Sequence, residues 1–162
     1  MKLNLGCGNN KKGGYINIDT DPQYSPDILS DIQDLTYDNE SIDEIIASHV
    51  IEHIPMLKVI TCLKNWYGWL KHGGALYLAI PDWDVMHKLF LNRCDFNTWS
   101  DVFFGGEEKS MAHQWMINGE GLRELVYSIG FNIEGNFGGL GGSSDFEISG
   151  TPISLNLYCV KK

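Results

Sequence analysis

Two glycines and an acid stand close together near the start of the chain. In Leu3-Asn-Leu-Gly-Cys-Gly8 an apolar run ends on Gly6-Cys7-Gly8, and a second run (Tyr15, Ile16, Ile18) ends on Asp19. Each half reads as a buried parallel strand that stops at a functional edge. Glycine lets the backbone bend sharply and lets a ligand come against it, because no Cβ is in the way. A carboxylate at the tip of the neighbouring strand can accept both hydroxyls of a ribose, as open parallel sheets do when they hold a nucleotide. The dinucleotide fingerprint does not fit, since its third glycine would fall at position 11, which is Lys11.

A second acid, Asp31, ends a third short run (Ile28-Leu29-Ser30) and is followed by Ile32. At a strand end the acid could accept from the exocyclic amine of an adenine while the isoleucine packs on the ring face. After the apolar run 42–47 comes Ser48-His-Val-Ile-Glu-His53, in which His49, Glu52 and His53 spell H-x-x-E-H. That pattern on a helix places two histidines one turn apart around zinc, with the glutamate as base. A strand directly before it and Pro55 only two residues after it argue against a long uninterrupted helix through the motif, and no distant acid stands out as a third ligand. The expectation is therefore no metal. His53, Asp82 after the fifth strand and His113 ahead of the last major helix are the groups available as a general base.

The elements that must position these groups alternate. Strands are expected near 3–5, 15–19, 28–31, 42–47 and 75–80, with a helix from Pro55 to Leu70 carrying Leu57, Ile60, Leu63 and Tyr67 at helical spacing. Gly73-Gly74 is expected to close that helix with a left-handed cap. Residues 84–92 suit a second helix, and Asn118 caps a third that Gly130 ends. Residues 131–137 and 153–160 read as closing strands joined by a glycine-rich loop at 138–144, by default a flexible hairpin connection, with closure over the cleft as the alternative. The sum is one α/β domain over residues 1–162, a three-layer α/β/α sandwich. Only ten residues separate Gly8 from Asp19, too few for a helix, so the first crossover must be a loop or single turn. Between 93 and 116 the periodicity fails. The aromatics there, Phe96, Trp99, Phe103, Phe104 and Trp115, together with Trp83 before them, suit an acceptor platform, a satellite core or a subunit contact equally.

Composition narrows the partners. Twelve Lys and Arg stand against 21 Asp and Glu, a formal charge of −9, which disfavours a nucleic-acid substrate because phosphate backbones are bound through cations. No apolar run approaches the roughly 18 residues of a membrane span. The four cysteines, Cys7, Cys62, Cys94 and Cys159, are scattered without a C-x-x-C pair. Reduced thiols in a cytoplasm fit best.

Four motifs in order carry a family resemblance over nearly the whole chain. Leu3–Gly8 resembles the first motif of class I S-adenosylmethionine-dependent methyltransferases, and Asp31-Ile32 resembles their adenine-side acid. Residues 41–53 resemble their fourth-strand motif, and Leu70-Lys-His-Gly-Gly-Ala-Leu-Tyr-Leu78 their L-K-P-G-G-x-L turn with His72 for proline. The short first crossover is similar to one branch of that superfamily. The resemblance implies a Rossmann-like, mostly parallel sheet of order 3-2-1-4-5-7-6 with an antiparallel C-terminal strand, and S-adenosylmethionine as cofactor. It further implies Gly6, Cys7, Gly8, Asn9 and Asn10 at the methionine end, Asp19 on the ribose, and Asp31 and Ile32 on the adenine. Ser48 and His49 would lie along the cofactor, and His53 nearer the acceptor. A small-molecule or carbohydrate acceptor is expected by analogy. The alternative is a non-catalytic binding or regulatory module, since the N-terminal helices that usually cover the cleft are absent. An uncovered cleft leads to the expectation of a homodimer or a covering partner.

Overall fold

The computed structural model describes residues 1–92, 104, 112–148 and 150–162; Phe96, Trp99, Phe103 and Cys94 lie outside them. The sequence alternates short, strongly apolar runs with amphipathic ones, and the runs assemble as a seven-stranded sheet. Five strands come first: β1 (Lys2–Leu5), β2 (Ile16–Asp19), β3 (Ile28–Leu29), β4 (Ile42–Ser48) and β5 (Leu70–Pro81). After β6 (Phe131–Asn136), β7 (Glu147–Ile148) and β8 (Thr151–Pro152) pair as a small separate hairpin, and β9 (Ser154–Lys161) rejoins the sheet. The spatial order is β3-β2-β1-β4-β5-β9-β6. β1 to β5 are parallel, while β9 runs antiparallel to both neighbours, β5 and β6. This is the expected order, with β9 as its strand 7, between β5 and β6.

Leu3, Leu5, Ile45, Ala47, Leu76, Leu78 and Leu157 are fully buried in the strands, as in sheets that helices flank. α1 (Met56–Trp69) buries Val59, Cys62, Leu63 and Trp66, a stripe of helical spacing. α3 (Gly119–Ile129) buries Leu122 and Val126; Asn118 Oδ1 accepts from the Gly121 amide at 3.0 Å to cap it, and Gly130 ends it. Between them, α2 (Trp83–Asn92) packs Met86, Trp83 and Leu89 with Ile153 and Ile148 in a small separate cluster. Among the described residues no helix is long and apolar enough to cross a membrane.

Three expectations need correction. α1 does not end in a glycine cap: it stops at Trp69, and residues 70–81 form one long strand. Gly73, with φ +75°, lies within β5 where one residue of β4 (between Ile42 and Glu44) faces four of β5 (between Leu70 and Ala75). The helix end is served instead by Lys161, whose buried ammonium donates to Leu70 O at 2.7 Å and lies 5.2 Å from the Tyr67 ring centroid. A cation beside the last carbonyls does the work of the left-handed turn. β3 keeps only residues 28–29, and the β6–β9 connection contains the β7–β8 hairpin, which no periodicity announced.

The first crossover holds no helix, as its length required. It is braced by buried polar groups instead. Asn4 Nδ2 donates to Asn17 Oδ1 at 2.9 Å and to Asn10 O at 3.0 Å, and Asn17 Oδ1 also accepts from the Lys12 amide at 2.7 Å. Asn17 gives both its backbone and side-chain N–H to Asp27 Oδ2, and these bonds, the backbone one foremost, hold the Asp27 carboxyl below its usual range. Buried amides with every donor placed fix a loop that has no core of its own.

Candidate active site

β1 and β2 end side by side, so the bend after one meets the acid that ends the other. Gly6 and Gly8 sit at φ +60° and +46°, the left-handed region that glycine enters without Cβ strain. A Cβ on Gly6 would lie 2.5 Å from Val50 Cγ2, whereas one on Gly8 would meet nothing within 4 Å. The Gly8 amide donates to Asp19 Oδ2 at 2.8 Å, and Asp19 Oδ1 accepts from the Asp21 amide at 3.0 Å. Each carboxylate oxygen thus keeps a second lone pair for an incoming hydroxyl. Cys7 is buried behind the bend; burial, then the negative charge of Asp19, pushes its thiol above the usual range.

These residues open on a cleft of about 1070 Å³. It is lined by all ten residues expected at the cofactor: Gly6, Cys7, Gly8, Asn9, Asn10, Asp19, Asp31, Ile32, Ser48 and His49. At the far end Asp31 is already engaged, because Gln33 gives its backbone N–H and its Nε2 to the carboxylate at 2.9–3.1 Å. Since a carboxylate only accepts, those bonds fix the amide, and Gln33 Oε1 is left buried without a partner among the described residues. Ser48 Oγ is a second such buried atom, and both residues line the cleft. Unsatisfied groups here suit a ligand with polar edges. Gln33 was missed by sequence reasoning; a Gln two residues after a strand-end acid carries no signal until the turn is seen.

The glycine-rich 138–144 segment is no loose connection. Asn10 Nδ2 donates to Gly141 O at 2.9 Å, Lys12 Nζ bonds Leu140 O, and Leu140 and Gly142 line the cleft beside Asn10.

The three candidate bases separate. His53 lines the cleft. His113 lies against it, ring centroids 5.0 Å apart, and lines an adjoining hollow with Glu52, Trp83 and Met86. Asp82 is not brought to the cleft: its Oδ1 accepts from the Asp84 amide at 3.0 Å and the Val85 amide at 3.4 Å, capping α2. A short polar side chain before a helix does this by preference. His49, at φ +55°, is held by Ser154. Ser154 Oγ spends its hydrogen on Asn156 Oδ1 at 2.7 Å, so the 2.9 Å contact is His49 Nε2–H donating to Ser154. His49 Nδ1 lies 3.2 Å from Glu52 Oε1. Of the expected aromatics, Trp115 joins the main core and donates Nε1 to Ile51 O and Ile54 O at 2.9 Å each, while Trp83 belongs to the cluster with Met86.

The doubly wound sheet, with a glycine bend and an acid facing a cleft at the ends of β1 and β2, defines the class I methyltransferase fold, whose enzymes use S-adenosylmethionine. The chain belongs to the methyltransferase domain family, whose sequence profile matches residues 8–135. No curated protein matches it by sequence. Among solved structures it is similar to a SAM-dependent methyltransferase from Archaeoglobus fulgidus (TM-score 0.66, 15% identity, 99% of this chain and 85% of that one). It is also similar to SAM-dependent methyltransferases from Methanosarcina mazei (0.64, 18%, 99% and 91%) and Thermotoga maritima (0.65, 17%, 99% and 82%). At such identities the likeness is one of fold.

Proposed function

We propose that the protein transfers a methyl group from S-adenosylmethionine to a hydroxyl or amine of a small-molecule or carbohydrate acceptor. The observation that carries the reading is the Gly8–Asp19 hydrogen bond, which sets a bare backbone bend and a half-free carboxylate on one cleft. When bound, S-adenosylmethionine supplies a methyl on a sulfonium, which an acceptor lone pair displaces in line as sulfur departs as a thioether.

The chain's own residues do the rest. Asp19 takes the ribose hydroxyls through its free lone pairs. Gln33 Oε1 accepts from the adenine amine while Ile32 packs on the ring, and Asp31 holds Gln33 in place. The amides of Cys7, Gly8 and Asn10 are given to Ile18 O, Asp19 Oδ2 and Cys7 O, so within the Gly6–Asn10 bend it is the Asn9 N–H that meets the methionine carboxylate, in place of the helix N-terminus that the short crossover lacks. The 140–142 segment covers that end and keeps water out. His53, on the cleft wall, takes the proton that a hydroxyl acceptor releases. Alignment and exclusion of water supply most of the rate in such displacements. The charge of −9 supports a small acceptor over a polyanion, and a cytoplasmic setting suits the unpaired, buried Cys7, Cys62 and Cys159.

Calorimetric titration with S-adenosylmethionine and S-adenosylhomocysteine tests the reading. Saturable binding is expected, lost in Asp19→Ala. A chain that takes up neither compound is not a methyltransferase, and one that binds both but turns over no acceptor is a binding module.

A further inference from the structure

The H-x-x-E-H pattern returns in a geometry other than the one its spacing suggests. His49 and His53 do not share a helix face, because residues 51–53 form a single 3-10 turn and Ile54 is extended. The turn instead brings Glu52 and His53 to His113, and one ligating atom from each lies within 4.8 Å of the other two.

Three observations mark a built site. Glu52 is 3% exposed, and neither oxygen receives an aligned hydrogen bond from a described residue; Oε1 has His49 Nδ1 at ion-pair distance, Oε2 nothing. A buried carboxylate without donors is costly unless a cation joins it. His53 Nδ1 lies 3.3 Å from Ala112 O. A carbonyl only accepts, so Nδ1 carries the hydrogen and Nε2 the lone pair, the orientation in which metal-bound imidazoles are held. The segment bearing His113 is stitched to the turn as well: the Gln114 amide donates to Glu52 O at 2.8 Å and its Nε2 to His53 O at 2.6 Å.

We propose that Glu52, His53 and His113 bind one first-row divalent transition-metal ion. Two imidazoles with a carboxylate suit such ions, whereas Ca²⁺ and Mg²⁺ prefer oxygen ligands alone. The site stands between the cleft, which His53 lines, and the hollow beside Trp83 and Met86. With the ion bound, His53 Nε2 is its ligand, so the base role of His53 belongs to the ion-free protein; an open coordination position there takes an oxygen of the acceptor. This last step rests on the proposed function; ion binding does not.

Chelator-stripped protein, free of S-adenosylmethionine, is titrated separately with Mn²⁺, Co²⁺ and Zn²⁺ by calorimetry, and the visible spectrum of the Co²⁺ form is recorded. One ion per chain is expected for at least one of the three. Affinity should fall roughly tenfold or more in Glu52→Gln and in His113→Ala, with the cobalt spectrum altered. His72→Ala, at the exposed His72–Glu40 pair, should change neither. No binding by the wild type, or unchanged binding and spectrum in a folded His113→Ala, overturns the proposal. Should Glu52→Gln fail to give a cooperative thermal transition, His113→Ala decides alone, since His113 lies outside the sheet and its core. Retained metal binding with no S-adenosylmethionine binding would count against the proposed function only.

Discussion

The backbone N–H of Gly8 points at Asp19 Oδ2 across 2.8 Å. The bend and the acid are therefore one hydrogen-bonded unit, and neither can be altered without the other.

Replacing Asp19 with Ala removes the acceptor for Gly8 and both oxygens that the proposed function gives to the ribose. Hydrogen bonds to a charged group contribute roughly 1.5–3 kcal/mol each, so loss of the ribose grip should cost about 3 kcal/mol of binding, or two orders in Kd for S-adenosylhomocysteine. Calorimetry reads the loss. Wild-type affinity in this variant would show that the ribose lies elsewhere.

The two glycines of the bend should fail differently. Gly6→Ala drives a methyl into Val50 and strains φ, so a loss of roughly 2–4 kcal/mol in stability is expected. Gly8→Ala meets no neighbour and should lose only about 1–2 kcal/mol from its φ while binding ligand poorly. Denaturant midpoints paired with titrations separate the two. Equal stabilities would mean the bend is not held by Val50.

Gln33→Leu should weaken S-adenosylhomocysteine about tenfold, as expected for the loss of one hydrogen bond. It should also erase discrimination against the inosine analogue, whose ring carries an oxygen where adenine carries an amine. Competition between the two compounds measures this. Persistent discrimination in the variant would assign the adenine contact to another group.

Cys7 should alkylate slowly and only toward alkaline pH. Its neutral thiol is favoured by burial and by Asp19, and only the thiolate reacts. Asp19→Asn removes the negative charge, lowers the thiol's ionisation point and should move the rise in rate to lower pH. Cys159, pushed up to about 12 by burial, serves as the unreactive internal control. Mass-spectrometric labelling rates against pH decide; a rate profile indifferent to residue 19 would break the link.

What could be read in the sequence was local. The run before Gly6 and the run before Asp19 are short, apolar and punctuated, so strand, bend and acid followed from neighbours a few residues apart. The Asn118 cap and Gly130 stop were legible for the same reason. Lys161 at the end of α1, Gln33 on Asp31, and His113 beside Glu52 were not, because each depends on a partner that only the folded chain supplies. Asp82 shows the opposite hazard: the edge after a parallel strand suggested chemistry, but the helix that starts there claimed its carboxylate first. Asn4 and Asn17 look like interruptions of apolar runs, and their use appears only once the crossover loop is seen to lack a core.

β9, threaded between β5 and β6, sets an order of events during synthesis. Until residues 154–161 leave the ribosome, β5 is an open border and β6 has no ladder to join. The nascent sheet can then consist of β1 to β5 alone, with its adhesive rim exposed to other chains. The 140–142 segment, which lines the cleft beside Asn10, arrives just ahead of β9, so the cleft gains that wall at nearly the moment the sheet is sealed.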